Sequence, residues 1–440
     1  MNDLAARAVE TFRSHKAVIG LIGLGYAGLP LCCCFAEAGF ETIGFDVDPA
    51  KVKVLAAGNS YIEQIPAARV RSIVESGALK TTSSFEQLAR CDAAIICVPT
   101  PLGEGKSPEL RHIVNTTREI KQRLHPGQLV VLESTTYPGT TDEVIRGILD
   151  ETGLHPGKDY FLAFSPERVD PANHAFNTRT IPKLVGAVTE DCLAVAGAAY
   201  GEVVDRVVPV FSARVAEASK LLENIYRCVN VAMVNELKVL FQKMGIDIWE
   251  VIEAASTKPF GFTPFYPGPG LGGHCIPIDP VYLTWMARQY DVPTRLIELA
   301  AEINDGMPAY VVDRLVHGLN LQGKPLKDSR ILLLGVAYKA DVDDVRESPS
   351  LRIIRILEDR LANVSFHDPH VPILRSRHLT REMKSVPLSA EIIREADAVV
   401  VLTGHRNVDY EMLVKNARLL VDTRNVTAPW KNLGAPILQA

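Results

Sequence analysis

Residues 17–22 (Ala-Val-Ile-Gly-Leu-Ile) form an apolar run that ends in Gly23-Leu24-Gly25-Tyr26-Ala27-Gly28, and the stretch from there to Gly39 reads as a helix. Strand, three-glycine turn and helix in immediate succession describe the first βα unit of a dinucleotide-binding sheet. Glycines permit the tight turn and the close passage of a pyrophosphate, and the helix N-terminus offers amides and the positive end of its dipole. A second apolar run, Thr42–Phe45, ends in Asp46, 18 residues beyond Gly28, where a carboxylate can accept from an adenosine ribose hydroxyl. An acid there repels a 2′-phosphate, so NAD is expected rather than NADP; Lys51 tempers that preference. A structural glycine turn in an α/β sheet is the competing reading.

Further strands follow at α/β spacing. Ala93–Val98 runs into Pro99-Thr100-Pro101, Leu129–Leu132 into Glu133-Ser-Thr-Thr136, and Phe161–Phe164 into Ser165-Pro166-Glu167-Arg168. In an open parallel sheet the C-terminal ends of the strands face the ligand crevice. Thr100, Thr136 and Glu167 are therefore candidates for the cleft, although each could equally cap a helix or close a turn. At 440 residues the chain is too long for one core, and two or three domains are expected. A net charge of −5 gives no general attraction to nucleic acid or an acidic membrane surface. No apolar run reaches the ~18 residues of a membrane span. Met1–Lys16 reads as a short leading helix rather than a secretory signal. The eight cysteines show no metal-ligand spacing, and Cys32-Cys33-Cys34 lie together in an apolar helical stretch as packing residues. A reducing, cytoplasmic setting without a structural metal is expected.

From Ser212 to Gly245 there is no proline and no internal glycine, so one long helix of strong formers is expected, buried between domains. Lys220 and Asn224 are spaced i,i+4 on it and stand on one face. They could converge on a developing negative oxygen, or the lysine could simply reach solvent. Beyond it comes Gly268-Pro-Gly-Leu-Gly-Gly273-His274-Cys275-Ile-Pro-Ile-Asp279-Pro, a thiol on a stiff loop with a carboxylate four residues on. A nucleophile is presented in this way, but a buried cysteine beside a tight turn has the same pattern. After a turn-forming linker at 323–328 a second α/β unit begins, with strands at Arg330–Gly335, Val364–His367, Ala398–Leu402 and Leu419–Val421. It lacks the glycine fingerprint. Lys339, Arg346 and Arg424 in its loops suggest a phosphorylated or nucleotide-bearing ligand, against scattered surface charge as the alternative.

The order of these parts, with Gly272-Gly273-His274-Cys275 and Asp279, Ser219-Lys220 with Asn224, Thr135-Thr136-Tyr137-Pro138, and Lys339 through Arg346-Glu347-Ser348, resembles the nucleotide-sugar 6-dehydrogenases from about Val18 to Val426. The resemblance implies an α/β fold of two Rossmann-like doubly wound domains joined by a long central helix and a helical middle region. It divides the chain into an NAD domain at 1–211, a central dimerisation domain with the cysteine loop at 212–322, and a UDP-sugar domain at 323–440. It also implies a four-electron oxidation of a sugar C6 alcohol to a carboxylate. Cys275 would capture the aldehyde and Lys220 with Asn224 would stabilise the alkoxide. Glu167 would drive thioester hydrolysis, Thr136 would position water and Asp279 would orient the loop. NAD would be held by Gly23, Gly25, Gly28, Asp46, Lys51, Val98, Thr100, Thr135 and Arg346. Glu167, Arg168, Lys220, Asn224, Tyr266, Gly272, Lys339 and Arg424 would contact a UDP-sugar.

UDP-glucose enzymes carry a lysine before the loop aspartate where this chain has Ile278. The Gly-Gly-His-Cys-Ile-Pro form, with Lys258-Pro-Phe-Gly-Phe upstream, is similar to bacterial UDP-N-acetylglucosamine 6-dehydrogenases. UDP-glucose, UDP-N-acetylmannosamine and UDP-N-acetylgalactosamine remain alternative substrates, and a non-catalytic sensor of NAD and nucleotide sugar is the remote one. A homodimer or higher homo-oligomer is expected, with no nucleic-acid or membrane partner. No role is assigned to His274.

Overall fold

The computed structural model of the protein describes residues 1–103, 105, 107–170, 175–273 and 276–440. His274 and Cys275 lie outside the described residues. The described chain falls into two compact units: Met1–Glu223 with Val281–Gln289, and Asn224–Pro280 with Tyr290–Ala440. Each unit contains one Rossmann-like sheet.

The first sheet is built from β1 (Val18–Ile22), β2 (Glu41–Phe45), β3 (Leu79–Thr82), β4 (Ala93–Ile96), β5 (Leu129–Leu132), β6 (Phe161–Phe164), β7 (Lys183–Ala187) and β8 (Val207–Val210), in the order β3-β2-β1-β4-β5-β6-β7-β8. Every neighbouring pair is parallel except β6 with β7. The strands read as apolar runs because both faces are covered. Ile19, Leu21, Leu129 and Val131 join one core with the helices Asp3–Arg13, Gly28–Glu37 and Glu190–Gly201; Ile22, Val130 and Leu132 join the core on the opposite face. Cys32 and Cys33 sit in the first of these cores, where burial pushes their thiols up, Cys33 to about 12. The order reverses between β1 and β4, so a crevice opens there at the strand C-termini.

The second sheet uses β9 (Arg330–Leu334), β10 (Asn363–His367), β13 (Ala398–Val401), β14 (Leu420–Asp422) and β15 (Ile437–Gln439), all parallel, in the order β10-β9-β13-β14-β15. A small antiparallel pair, β11 (Ile373–Leu374) and β12 (Met383–Lys384), lies beside it in sequence. The acid at the end of β10, Asp368, accepts from the Val336 and Ala337 amides of the loop after β9 and lies 3.2 Å from His405 Nε2. Asp46 at the end of β2 accepts from Leu24 of the loop after β1 in the same way. The two sheets thus tie their first exit loop to the acid of the second strand by the same device. Asp341, His370 and His405 bring ligand-type atoms within 4.8 Å of one another. Both His405 nitrogens are engaged, Nδ1 by the Asp341 amide and Nε2 by Asp368, so the cluster ties loops together.

Burial alone would raise the Asp368 pKa, but the hydrogen bond of His405 and those of the two amides outweigh it and hold the carboxyl at about 2. A folded value below the unfolded ~3.9 means stability that is present above pH ~4 and lost as pH falls through about 2. Asp368→Asn is expected to lower urea stability at pH 7 by roughly 2 kcal/mol, a deficit that shrinks toward pH 2.5. An equal deficit at both pH values would assign the effect to packing instead.

The long helix spans Ala213–Met244, 32 residues, and the division between the units falls inside it. It is not buried all round, contrary to its apolar composition: Val215, Leu222, Tyr226, Met233, Leu240 and Met244 are exposed. Their spacing of seven and four residues makes one stripe along the helix.

Candidate active site

The glycine turn after β1 separates positions that the fold requires from one that it does not. Gly23 has φ +97°, and a Cβ there would meet the Cys97 carbonyl at 2.6 Å; a Cβ on Gly28 would lie 1.9 Å from the Gly23 carbonyl. Gly25 faces open space, with nothing within 4 Å of an added Cβ. A glycine unforced by its own chain, between two that are forced, fits a turn against which a pyrophosphate packs. Asp46 is buried; Oδ2 accepts from Leu24 N at 3.0 Å and Oδ1 from Asp48 N at 2.9 Å, with Lys51 Nζ at 3.4 Å. A carboxylate has about four acceptor sites, so capacity remains for a ribose hydroxyl. Val98, Thr100 and Thr135 stand on the loops after β4 and β5. The Val98 carbonyl accepts from Ser134 Oγ at 2.7 Å, and the Thr100 carbonyl from Tyr282 at 2.5 Å. These residues fit a dinucleotide. Gly25→Val should leave the cofactor-free melting temperature unchanged while weakening NAD roughly tenfold or more, read by calorimetry; equal loss of stability and affinity would show that the turn itself had broken.

Along the same sheet, the exits of β5 and β6 bring polar groups to one edge. Thr136 is fully buried and its Oγ1 has no hydrogen-bond partner among the described residues. Its loop is fixed by buried Glu217, which accepts from the Gly139 and Thr141 amides and the Thr141 hydroxyl. Burial pushes Glu217 up to about 7 despite those bonds. Glu167 Oε1 accepts from Val169 N at 2.6 Å, and its Oε2 is 3.7 Å from Lys183 Nζ. Arg168 donates to the Pro182 carbonyl and pairs with Glu223 at 2.7 Å. Lys220 is 8% exposed, with no hydrogen bond or ion pair among the described residues. Glu133 and Lys183, which sequence reasoning did not single out, form a buried ion pair at 2.7 Å beside Glu167.

In the second unit, Asn224 Nδ2 donates to Asp279 Oδ2 at 2.5 Å, and both residues are buried. Asp279 is the first residue of the helix Asp279–Ala287, so the loop that carries Cys275 ends on a carboxylate held by the long helix. Gly273 has φ +84° and donates to the Arg346 carbonyl at 3.0 Å. A Cβ on Gly272 would meet Tyr338 Cβ at 2.6 Å, so packing against Tyr338 and Pro349 already demands glycine there. Arg346 grips Asp344 with Nε and Nη2, at 3.0 and 2.7 Å. Tyr266 is half exposed and stacks on Trp249. Lys339 lies on the loop after β9. Arg424, after β14, donates from Nε to the Leu402 carbonyl, and burial lowers it to about 10. Lys238, absent from the sequence expectations, is buried without a hydrogen-bond partner among the described residues. Burial, with the charges of Arg424 and Arg314, lowers it to about 7. Nothing in the helical pattern around it marks that lysine as inward-facing.

Three models of one family match the chain in series: the UDP-glucose/GDP-mannose dehydrogenase NAD binding domain over residues 17–204, the central domain over 214–306 and the UDP binding domain over 332–429. The UDP-N-acetyl-D-mannosamine dehydrogenase of Pyrococcus horikoshii is 34% identical over 93% of this chain and 95% of its own. The UDP-N-acetyl-D-glucosamine 6-dehydrogenase of Pseudomonas aeruginosa is 32% identical over 94% of this chain and 96% of its own. A solved structure of the P. horikoshii UDP-D-ManNAc dehydrogenase superposes with a TM-score of 0.86 at 32% identity, covering 96% of this chain and 98% of that one.

Proposed function

Because the chain belongs to the UDP-glucose/GDP-mannose dehydrogenase family, as an NAD-dependent nucleotide-sugar dehydrogenase, we propose that it oxidises C6 of UDP-N-acetylglucosamine to the uronic acid in two steps. The observation that carries the two-step reading is the set of side chains suited to a covalent route. Lys220 is buried without a partner among the described residues, Asn224 is bonded to Asp279 at the end of the cysteine loop, and Glu167 and Thr136 stand at the β6 and β5 exits. The choice of an N-acetylated sugar rests on Ile278 and the Gly-Gly-His-Cys-Ile-Pro loop, and on relatives named for both C2 epimers.

NAD supplies the acceptor for one hydride at each oxidation, held by Gly23, Gly25, Gly28, Asp46 and Lys51, with Val98, Thr100, Thr135 and Arg346 completing its contacts. Lys220 and Asn224 stabilise the negative C6 oxygen as the alcohol loses its proton. Cys275 adds through sulfur to the aldehyde carbon, and the resulting thiohemiacetal is the tetrahedral species from which the second hydride departs. The thioester so formed is cleaved by water: a C–O bond forms, the C–S bond breaks, Glu167 takes the water proton, and the sulfur leaves to be reprotonated as a thiol. Thr136 positions that water, and Asp279 orients the loop. Arg168, Tyr266, Gly272, Lys339 and Arg424 contact the UDP-sugar.

Side-by-side kcat/KM values on UDP-N-acetylglucosamine, UDP-N-acetylmannosamine, UDP-N-acetylgalactosamine and UDP-glucose test the substrate. A preference for UDP-glucose would sink the choice of an acetamido sugar, and two ligands bound with no NADH formed would revive the sensor. The three-domain division at 211 and 322, and a homodimer through the exposed stripe of the long helix, belong to the same proposal. Leu222→Glu with Met233→Glu should turn a dimer into a monomer by sedimentation. A particle of unchanged mass would remove the stripe from the interface.

A further inference from the structure

The first unit holds a buried Lys183–Glu133 pair beside Glu167, and the steps above use neither member of that pair. Lys183 opens β7, the strand that runs antiparallel to β6 with Phe164 opposite Gly186. Continued in that register, the ladder sets Lys183 opposite Glu167, three residues beyond the end of β6. Lys183 Nζ donates to Glu133 Oε2 at 2.7 Å and stands 3.7 Å from Glu167 Oε2. Glu133 Oε1 accepts from Tyr200 at 2.5 Å. Lys183 and Glu133 are 1% and 2% exposed, so neither charge is supported by water.

Lys183 and Glu133 are thus paired out of water, where an ion needs its partner, and the part-exposed Glu167 carboxylate stands beside them. Burial works against the Lys183 ammonium, but the charges of Glu133 and Glu167 more than offset it and raise the group. The two carboxylates are not equivalent. Glu133 has a hydrogen-bond donor on each oxygen, Lys183 on one and Tyr200 on the other. Glu167 is anchored through Oε1 by the Val169 amide, while Oε2 faces Lys183 at an ion-pair distance too long for a hydrogen bond. Such a carboxylate is oriented and charge-balanced, yet keeps a lone pair free to take a proton. A direct bond from an unshared lysine would occupy that lone pair; Glu133 prevents this by drawing the ammonium to itself.

We propose that Lys183, shared between Glu133 and Glu167, is a positioning residue for thioester hydrolysis: it aims the Glu167 carboxylate at the attacking water without bonding to the oxygen that accepts the proton. This rests on the two-step reading given above. The step it assists is the balanced one, water oxygen to carbonyl carbon, C–S cleavage, and the water proton to Glu167 and on to the sulfur.

The test separates hydride transfer from hydrolysis in the full chain with NAD and UDP-N-acetylglucosamine. Lys183→Met should give a burst of two NADH per site at close to the wild-type rate, then release acid roughly 10–100-fold more slowly. Intact mass should show the sugar nucleotide as an adduct of the chain, and Lys183→Arg should recover much of the release rate. If Lys183→Met does not fold, Lys183→Met with Glu133→Gln removes the unbalanced buried charge and decides the matter. Slow release with an adduct in that double variant supports the inference. Wild-type release, or hydride transfer and hydrolysis slowed equally, shows the pair to be structural and overturns it. A wild-type enzyme that yields one NADH per sugar and no acid would instead bring down the two-step reading itself.

Discussion

Replacing Cys275 by alanine should abolish formation of the uronic acid, by roughly 10⁴-fold or more, the scale seen when a covalent nucleophile is removed. The reason is chemical. An aldehyde carbon carries its hydrogen on a trigonal centre, and a hydride leaves readily only once an adduct has made that centre tetrahedral and electron-rich. Without the thiol, the first oxidation can proceed and the second lacks its substrate. The variant is therefore expected to form at most one NADH per sugar, with NAD affinity unchanged because the glycine turn and Asp46 lie elsewhere in the chain. Liquid chromatography of the product and calorimetry with NAD check both halves. Acid formed at close to the wild-type rate would refute the covalent route, and lost NAD affinity would make the loop structural. Selective alkylation gives an independent handle. The other seven cysteines are buried or half-buried, and burial raises the thiols of Cys32, Cys33, Cys34, Cys91, Cys97, Cys192 and Cys228. A mild reagent near neutral pH should label Cys275 first, and activity should fall in step with that label.

What could be read from the sequence was local. The turn at Gly23–Gly28, the apolar strands and the acids that close β2 and β10 are each set by a few adjacent residues, and all appear where the pattern puts them. The roles of individual side chains were less legible. Asp46 reads as a ribose acceptor, and the structure adds that its carboxylate also clamps the Leu24 and Asp48 amides, a bond that depends on two strands pairing. Gly272 reads as room for a ligand, yet Tyr338, 66 residues away, already requires it. Lys183 escaped notice for a topological reason. Thr-Ile-Pro-Lys-Leu-Val carries no motif, and only the reversed direction of β7 carries its first residue back to the C-terminal edge of β6. Periodicity reveals which face a residue occupies, not which distant carboxylate it meets.

Lys220→Ala should slow the first hydride transfer by roughly 10²–10³-fold, the usual loss when one donor to a developing oxyanion is removed. The argument starts from burial. Lys220 is 8% exposed, and no described residue accepts a hydrogen bond from it or pairs with its charge. With no acceptor among the described residues, its Nζ has a hydrogen bond to give. An oxygen that gains negative charge as the alcohol is oxidised takes that bond more strongly than the neutral alcohol does, so the interaction is stronger in the transition state than in the ground state, which is the condition for raising kcat. Asn224, one turn along the same helix, is held by Asp279 and contributes a dipole without a charge, so Asn224→Ala should have a smaller effect. Single-turnover measurements with C6-deuterated substrate decide the matter. In the variant the isotope effect on the first NADH should be fully expressed, because hydride transfer has become the slow step, while NAD affinity and thermal stability hold. A first-hydride rate equal to wild type would take Lys220 out of the chemistry, and a variant that loses stability along with rate would assign the side chain to packing of the helix.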